Sequence, residues 1–252
     1  MVLQDKYAPD SKYSFVRLII TLFIAIIGNA GMWAIVVIMP DIGNEFQVSR
    51  ATLSFPYILT MVGFAVGNVF LGRFVDRVGI TQAIIFASFL NFIGFAGASL
   101  FDSFFIFTFF HLIVGLGTAV SFGPLLADIS LWFKRFRGIA VAIAASGNYI
   151  SGAIFPFLLG GVIADYGWRG SYYALSIASI GLLLPAGFFL KRRLSSKFQK
   201  EQEEQAKTQA VSSSFSPLTL QVILSVAAIC CCVAMSMPQI HIVNMCVDLG
   251  FG

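Results

Sequence analysis

The chain has 252 residues, of which 58% are hydrophobic and 11% are charged, whereas a soluble domain carries roughly a quarter charged residues. This composition excludes an ordinary soluble globular protein. The net charge of +4 is small, and its cations lie between apolar stretches, so the charge does not indicate a nucleic-acid-binding protein.

Seven long apolar runs follow one another along the chain. They lie near residues 15–39, 53–72, 80–100, 104–127, 138–163, 171–190 and 218–240. A helix of about 20 apolar residues crosses the ~30 Å hydrocarbon core of a bilayer, and spanning segments must satisfy their backbone hydrogen bonds within the protein. The alternating ~10-residue segments of a barrel do not occur. We therefore predict an all-α transmembrane protein. We expect the first helix to be retained, because the first run is longer than a typical signal-peptide core and no A-x-A cleavage site follows it.

The cations are distributed unevenly between the gaps that separate these runs. All but two of the 16 Lys and Arg residues lie in the N-terminal tail or in the even-numbered gaps, and the two exceptions are Arg50 and Arg169. Cytoplasmic loops carry the excess of Lys and Arg in membrane proteins. The pattern therefore predicts a multi-pass protein of the plasma (inner) membrane with a cytoplasmic N-terminus.

The segment 191–217 differs in composition from the rest of the chain. It is rich in Gln, Ser and charged residues, and it is too hydrophilic to enter lipid or to build a core. We predict a six-helix transmembrane bundle over 1–190, a cytoplasmic linker over 191–217 and a seventh transmembrane helix over 218–252. Pro217 suits the first position of that helix. This organisation looks like slightly more than half of a larger protein, so we expect a truncated or missing C-terminal half.

The gap between the second and third runs, Gly72 to Gly79, combines glycines with charged residues at the predicted cytoplasmic boundary. Glycine permits a tight turn there, because it adopts positive φ. The gap resembles the signature loop of the major facilitator superfamily, G-x-x-x-D-R-x-G-R-K. Ile80 and Thr81 stand where this pattern has its two final cations. Four residues match the pattern: Gly72, Asp76, Arg77 and Gly79.

The resemblance implies a gating role for these charges. Asp76 would cap a helix of the C-terminal half in the outward-open state, and Arg77 or Arg73 would hold Asp128, near the inner end of the fourth helix. The alternative is that the charges only fix the topology and solvate a turn. A weaker echo of the motif, Asp165–Arg169, follows the fifth run, as two inverted three-helix repeats would require.

A second stretch covers parts of the fourth and fifth predicted helices. This stretch reads WFKRFRGIA over Trp132–Ala140 and is followed by Ser146, Gly147 and Gly152. It is similar to the WF-x-R-x-R-G-x-A…G…G stretch of the monocarboxylate and oxalate/formate branch of the superfamily. The resemblance implies a six-helix N-terminal bundle of 3+3 inverted repeats plus a seventh helix. It also implies uptake or exchange of small carboxylates, often with a proton, as in a symporter.

Polar side chains inside the predicted helices are candidates for a substrate or proton path, because such groups usually face a cavity or a partner helix. The candidates are Asn29, Trp33, His111, Asn148, Tyr149 and His241. In the family that the chain resembles, helices 1, 4 and 7 line the central path, and all candidates but Asn148 and Tyr149 fall on them. An imidazole binds a carboxylate when protonated and releases it when neutral, which makes His111 the sharpest candidate. The alternative is an interhelical hydrogen bond.

These features favour a secondary transporter of small solutes that works by alternating access, with organic anions such as monocarboxylates implied by the resemblance. No G-x-x-x-x-G-K-[ST] phosphate loop occurs, so we expect a substrate or ion gradient as the energy source, no enzymatic activity and no cofactor. No metal site is expected, because Cys230–Cys232 are consecutive and point about 100° apart on a helix. The expected partners are a small-molecule substrate, protons, the lipid bilayer and a separate C-terminal half, with no nucleic acid.

Two other functions stay open on the sequence. An inactive half-transporter would need a C-terminal half to move against, since rocking transport takes two bundles. A non-transport membrane protein, such as a membrane enzyme or a lipid-handling protein, would need a catalytic cluster at one depth, and no such cluster is visible in the sequence.

Overall fold

The computed structural model describes residues 8–192, 194, 198 and 216–249. The chain divides into two compact units, residues 1–194 and 195–252. Regular structure in the described residues is helical, and none of them lies in a β-strand, which confirms the all-α prediction. Most of the predicted linker over 191–217 falls outside the described residues.

The helices of the first unit follow the predicted apolar runs. In chain order they are α1 (Lys12–Gly28), α2 (Ala30–Phe46), α3 (Arg50–Val78), α4 (Ile80–Leu100), α5 (Phe104–Ala119), α6 (Gly123–Leu131), α7 (Arg137–Ala178) and, after a π-helical turn (Ser179–Leu183), α8 (Leu184–Phe189). The second unit contains α9 (Pro217–Asp248). The backbone N–H of Thr219 donates to Ser216 Oγ at 3.1 Å, so Ser216 caps α9 and Pro217 takes the first helical position, as predicted.

Six helical stretches among the described residues are long and apolar enough to cross a membrane. The fifth runs from Arg137 to Phe189 and has 53 residues. It would be about 80 Å long at about 1.5 Å per residue, more than twice the hydrocarbon thickness. Gly167 interrupts this stretch with φ 69° and ψ 175°, a conformation that essentially only glycine adopts. The stretch is therefore two spans that meet at Gly167, and the described residues contain the seven spans that the sequence predicts.

The first and fourth spans are each divided by a break. α1 has 17 residues and ends before Asn29, and α5 has 16 residues and ends before a turn at 120–122. The sequence predicts these spans as the first members of two three-helix repeats, and the parts before their breaks are similar in length. The two breaks are in contact, because a Cβ on Gly28 would lie 1.8 Å from Ser121 Oγ. A larger residue at this position would push the breaks apart.

The closest helix packing joins α3 to α5. A Cβ on Gly63 would lie 2.2 Å from the carbonyl oxygen of Leu112, and one on Gly115 would lie 2.1 Å from that of Thr60. Neither glycine can be replaced unless a backbone moves. Small residues allow this close approach of transmembrane helices, and the approach fixes the direction in which His111 of α5 points.

Apolar side chains fill the interior of the first unit and also cover its outside. A buried cluster joins the first, third, fourth and sixth spans and includes Ile24, Ile84, Val120, Leu183 and Leu190. On the outside, Phe105 and Phe157 are 86% and 84% exposed. Such apolar outer surfaces suit helices that lie in lipid.

Candidate functional site

The predicted signature loop at Gly72–Gly79 is mostly helix. α3 continues to Val78, and Gly79 then leaves the helical conformation with φ 94°. The prediction of a tight turn is therefore wrong for Gly72, which lies inside α3 and whose Cβ would meet open space. The difference arises because an apolar run ends where lipid ends, whereas a helix can continue into the interface when water solvates its charged side chains.

The charged side chains of this segment point away from the first unit. Arg73, Asp76 and Arg77 are exposed, and Arg73 Nη1 donates to the Val69 carbonyl oxygen of its own helix at 3.3 Å. None of the three forms an ion pair with another described residue. Their positions leave them accessible to a partner outside the first unit.

A cluster defined by Arg17, Asp128 and Trp132 ties three spans together. We call it the inner cluster because it lies at the inner end of the first unit, the end that the sequence predicts to face the cytoplasm. Arg17 Nε and Nη2 donate to Asp128 Oδ2 at 3.1 and 2.6 Å, and the guanidinium carbon lies 4.6 Å from the Trp132 ring centre. Arg17 Nη1 donates to the carbonyl oxygens of Leu190 and Arg192 at 3.0 and 3.1 Å. The Arg17 side chain is 1% exposed. One buried cation thus joins α1, α6 and the C-terminal end of α8.

The partner predicted for Asp128 is therefore wrong. Arg17 holds this carboxylate, and Arg73 and Arg77 do not, because Arg17 lies on the buried face of α1 whereas the other two point outward. The uneven distribution of cations counts Arg17 with those of the N-terminal tail, although the first apolar run begins near residue 15. The position of Arg17 inside the first apolar run was a usable signal, since a cation within a span needs a partner.

A second cluster, defined by Glu45, Asp102, Trp168 and Arg169, joins the ends of α2 and α4 to the second part of α7. We call it the outer cluster because the sequence predicts that this end of the first unit, the outer end, faces away from the cytoplasm. Trp168 Nε1 donates to Glu45 Oε2 at 2.6 Å. Arg169 Nη1 pairs with Glu45 Oε1, and Arg169 Nη2 donates to Asp102 Oδ1 at 2.6 Å. The guanidinium carbon lies 4.4 Å from the Trp168 ring centre. The sequence marks Arg169 as an exceptional cation and as part of the Asp165–Arg169 echo, but it gives no sign of the contacts with Glu45 and Asp102.

His111 lies in the interior of the first unit, with no exposed surface. Its Nδ1 lies 3.1 Å from Thr60 Oγ1, and its Nε2 lies 3.2 Å from the Tyr172 hydroxyl oxygen. Thr60 donates its own hydroxyl proton to the Pro56 carbonyl oxygen at 2.9 Å. Thr60 therefore accepts from Nδ1–H, and Nε2 accepts from Tyr172. Both nitrogens of the neutral ring are used to join the second, fourth and sixth spans.

Asn29 is also buried. Its Nδ2 donates to the carbonyl oxygens of Ala25 at 2.7 Å and Ser121 at 3.3 Å, and Asn29 thus bridges the breaks of the first and fourth spans. Its Oδ1 has no hydrogen-bond partner among the described residues. The geometry indicates that Asn29 holds the two breaks together.

Trp33 and Asn148 form a polar patch that is partly open, and Tyr149 follows Asn148 in α7. Trp33 Nε1 donates to the Asn148 carbonyl oxygen at 3.0 Å and lies 3.4 Å from Asn148 Oδ1. Trp33 and Asn148 are partly exposed, and Tyr149 is 56% exposed. These three are the accessible ones among the path candidates whose side chains the structure describes. The side chain of His241 lies outside that part, so its role stays a prediction.

Comparison with known proteins finds one family and several longer relatives. A family model described as Major Facilitator Superfamily matches residues 21–252. Riboflavin transporter RibJ of Trypanosoma brucei brucei is 34% identical over 122 residues, which are 47% of this chain and 22% of the relative. Monocarboxylate transporter 14 of Homo sapiens is 22% identical over 174 residues, 69% and 34% of the two chains. MFS-type transporter pytF of Aspergillus terreus is 27% identical over 155 residues, which are 60% of this chain and 52% of the relative. The chain thus spans about half or less of these relatives.

Proposed function

We propose that this chain, which belongs to the Major Facilitator Superfamily, carries a small organic solute across the membrane by alternating access. Family membership points to a transporter rather than an enzyme, and the spans make the chain an integral multi-pass membrane protein. In the proposal, a gradient of the solute or of protons supplies the energy. We also propose that the protein lies in the plasma membrane with its N-terminus in the cytoplasm.

One observation carries the proposal: the partly open patch of Trp33 in the first span and Asn148 in the fifth, with the exposed Tyr149 next to Asn148 in the chain. Polar groups in contact with lipid are costly, so they face a cavity or another helix. Asn29 and His111 are enclosed in the bundle, and we assign to both the positioning of helices rather than contact with the solute. His241 of α9 remains a proposed path residue.

We propose a small organic anion as the solute, with monocarboxylates as the first candidates. The support is the resemblance of Trp132–Ala140 to the monocarboxylate and oxalate/formate branch, together with the name of monocarboxylate transporter 14. A shared fold does not define a substrate. The name of RibJ specifies riboflavin, so riboflavin belongs in the same screen.

We further propose that the transporting unit includes a C-terminal half. Alternating access moves one bundle against another, and the relatives are longer than the matched segments. Three charged side chains are exposed and could contact such a half: Arg73, Asp76 and Arg77. The open space beside Gly72 would let a helix of the C-terminal half pack against α3. In this scheme Asp76 caps a helix of the other half in the outward-open state. The alternative is that the chain alone is an inactive half.

Uptake into proteoliposomes tests the proposal. The chain alone, and the chain together with its C-terminal half, are reconstituted and supplied with radiolabelled pyruvate, lactate, formate, oxalate or riboflavin. Saturable uptake above that of protein-free liposomes supports transport. Uptake by the pair and not by the chain alone identifies an inactive half. Absence of saturable uptake of all five solutes in both preparations overturns the proposal.

The gating role of Asp76 has its own test. Asp76→Asn is expected to lower uptake at unchanged surface expression, because a neutral amide caps a helix N-terminus more weakly than a carboxylate. Asp165→Asn is the matched control, since Asp165 is an exposed aspartate in the echo of the motif. Equal uptake by both variants and the wild type would refute the gating role.

A further inference from the structure

The Trp33 ring rests on the backbone of the fifth span at Gly152. A Cβ on Gly152 would lie 2.6 Å from both Cε2 and Cζ2 of Trp33, far inside the optimal carbon–carbon separation of about 3.5–4.0 Å. Gly152 follows Asn148 by four residues, so both lie on one face of the helix, a turn apart. The missing side chain therefore lets the indole reach the Asn148 carbonyl oxygen.

The indole N–H also fixes the side-chain amide of Asn148. Trp33 Nε1 lies 3.4 Å from Asn148 Oδ1, and an indole N–H is a donor only. An amide NH2 group is also a donor only, so it cannot face the indole N–H. The amide oxygen consequently faces Trp33, and the NH2 group points elsewhere, without a hydrogen bond to another described residue.

The Asn148 NH2 group offers two N–H donors on the residue that the Trp33 indole N–H contacts, and such donors suit an acceptor oxygen. The Lys and Arg residues among the described positions of the first unit lie near the ends of the spans, so the first unit offers donors without formal charge at this patch. Such a site recognises the carbonyl or carboxylate oxygen of an organic solute by hydrogen bonding, while the indole provides an apolar face for the carbon skeleton.

We propose that Trp33, Asn148 and Gly152 form a donor subsite for a carbonyl or carboxylate oxygen of the transported solute. Asn148 binds the oxygen through its NH2 group, and Trp33 orients that amide. Gly152 is a positioning residue, because it lets Trp33 approach the helix backbone. This inference rests on the proposed function and specifies the chemistry of its substrate.

Three substitutions separate loss of the donors from the effect of a new charge. Asn148→Leu removes the donors and adds no charge. Asn148→Asp also removes them but keeps an oxygen that accepts from Trp33. Asn44→Asp, at an exposed position of α2, adds the same charge elsewhere and is the matched control. Both changes at position 148 are expected to raise KM for pyruvate uptake about 10- to 100-fold, the effect of losing a hydrogen bond to a charged group, whereas Asn44→Asp leaves KM unchanged.

A binding measurement complements uptake and does not depend on transport. The chain has three Trp residues, so the ¹⁵N-labelled protein in micelles gives three indole N–H signals, and Trp33→Phe identifies the signal of Trp33. Sodium pyruvate is expected to shift this signal saturably in the wild-type chain, whereas sodium chloride at equal concentration does not. Neither Asn148 variant responds to pyruvate. Gly152→Ala moves the Trp33 signal before pyruvate is added and weakens the response.

The failure of the subsite and the failure of the proposed function give different results. A saturable pyruvate shift without uptake of any solute overturns transport and leaves the subsite standing. A wild-type Trp33 signal that pyruvate does not move, or a shift that survives Asn148→Leu, overturns the subsite. A raised KM in Asn148→Asp but not in Asn148→Leu also overturns it, because charge would then be the cause.

Discussion

Arg17 of the inner cluster and Arg169 of the outer cluster each lie over a tryptophan ring and each bind a carboxylate from another span. They differ in their contact with solvent. Arg17 and Asp128 are 1% and 16% exposed, whereas Arg169 is 33% exposed and its partner Asp102 is 89% exposed. The inner pair is therefore buried and the outer pair is solvated.

This difference decides what each cluster contributes. Removing one partner of a buried pair leaves an uncompensated charge and costs about 3–5 kcal/mol, whereas exposed pairs contribute about 0–1 kcal/mol. Arg17 also neutralises the negative C-terminal end of α8 through the carbonyl oxygens of Leu190 and Arg192, where a cation is favourable. Similar charge patterns thus hold the first unit firmly at its inner end and loosely at its outer end.

The largest effect is expected from Arg17→Gln, which breaks the inner cluster. The free energy of unfolding should fall by about 3–5 kcal/mol, because Asp128 loses its buried counter-charge. Denaturant unfolding of the purified chain in detergent measures the change. The double variant Arg17→Gln/Asp128→Asn is the control and should recover part of the loss. A loss no larger than that of Arg169→Gln would contradict the comparison.

The hydrogen bonds of His111 with Thr60 and Tyr172 extend the comparison, because this third contact between spans is buried but uncharged. His111→Leu should lower the free energy of unfolding by about 1–3 kcal/mol, since the Tyr172 hydroxyl loses its acceptor inside the bundle. Tyr172→Phe is the matched control, because it removes the same hydrogen bond from the other side. The loss in the double variant should be smaller than the two single losses together, and additive losses would argue against this bond.

The smallest effect is expected from Arg169→Gln, at about 0.2–1 kcal/mol. The same unfolding measurement at about 1 M salt, where the Debye length is about 3 Å, should erase this difference, whereas the deficit of Arg17→Gln persists. Glu45→Gln is the control, because it removes the charge but keeps an acceptor for Trp168 Nε1. If Arg169→Gln lowers the free energy of unfolding equally at low and high salt, this pair behaves like a buried pair, which would contradict the comparison.

The sequence predicts where residues lie along the spans better than which way they face. The length of an apolar run gives depth in the membrane, and each of the seven predicted runs overlaps a helical stretch of the structure. Almost every face of these helices is apolar, so the pattern carries little information on rotation about the helix axis. His111 is therefore predicted on an open path, although the structure encloses it between Thr60 and Tyr172.

The sequence also does not predict which residues far apart in the chain pair with each other. Arg17 and Asp128 are 111 positions apart, and Glu45 and Trp168 are 123 positions apart, so no local spacing links them. The patch at Trp33 and Asn148 is predictable in part, because polar groups at membrane depth are unusual. The contact between Trp33 and Gly152 depends on how the first and fifth spans pack, so the structure shows it and the sequence does not predict it.

The most direct test of the account is the side of the membrane on which each end of the first unit lies. Single cysteines at the exposed positions Asn44 and Lys191 are introduced into a chain whose four native cysteines are replaced by serine. A membrane-impermeant maleimide is expected to label position 44 in intact cells and position 191 only after permeabilisation. Labelling of both positions from the same side, or of position 191 alone in intact cells, would contradict the account.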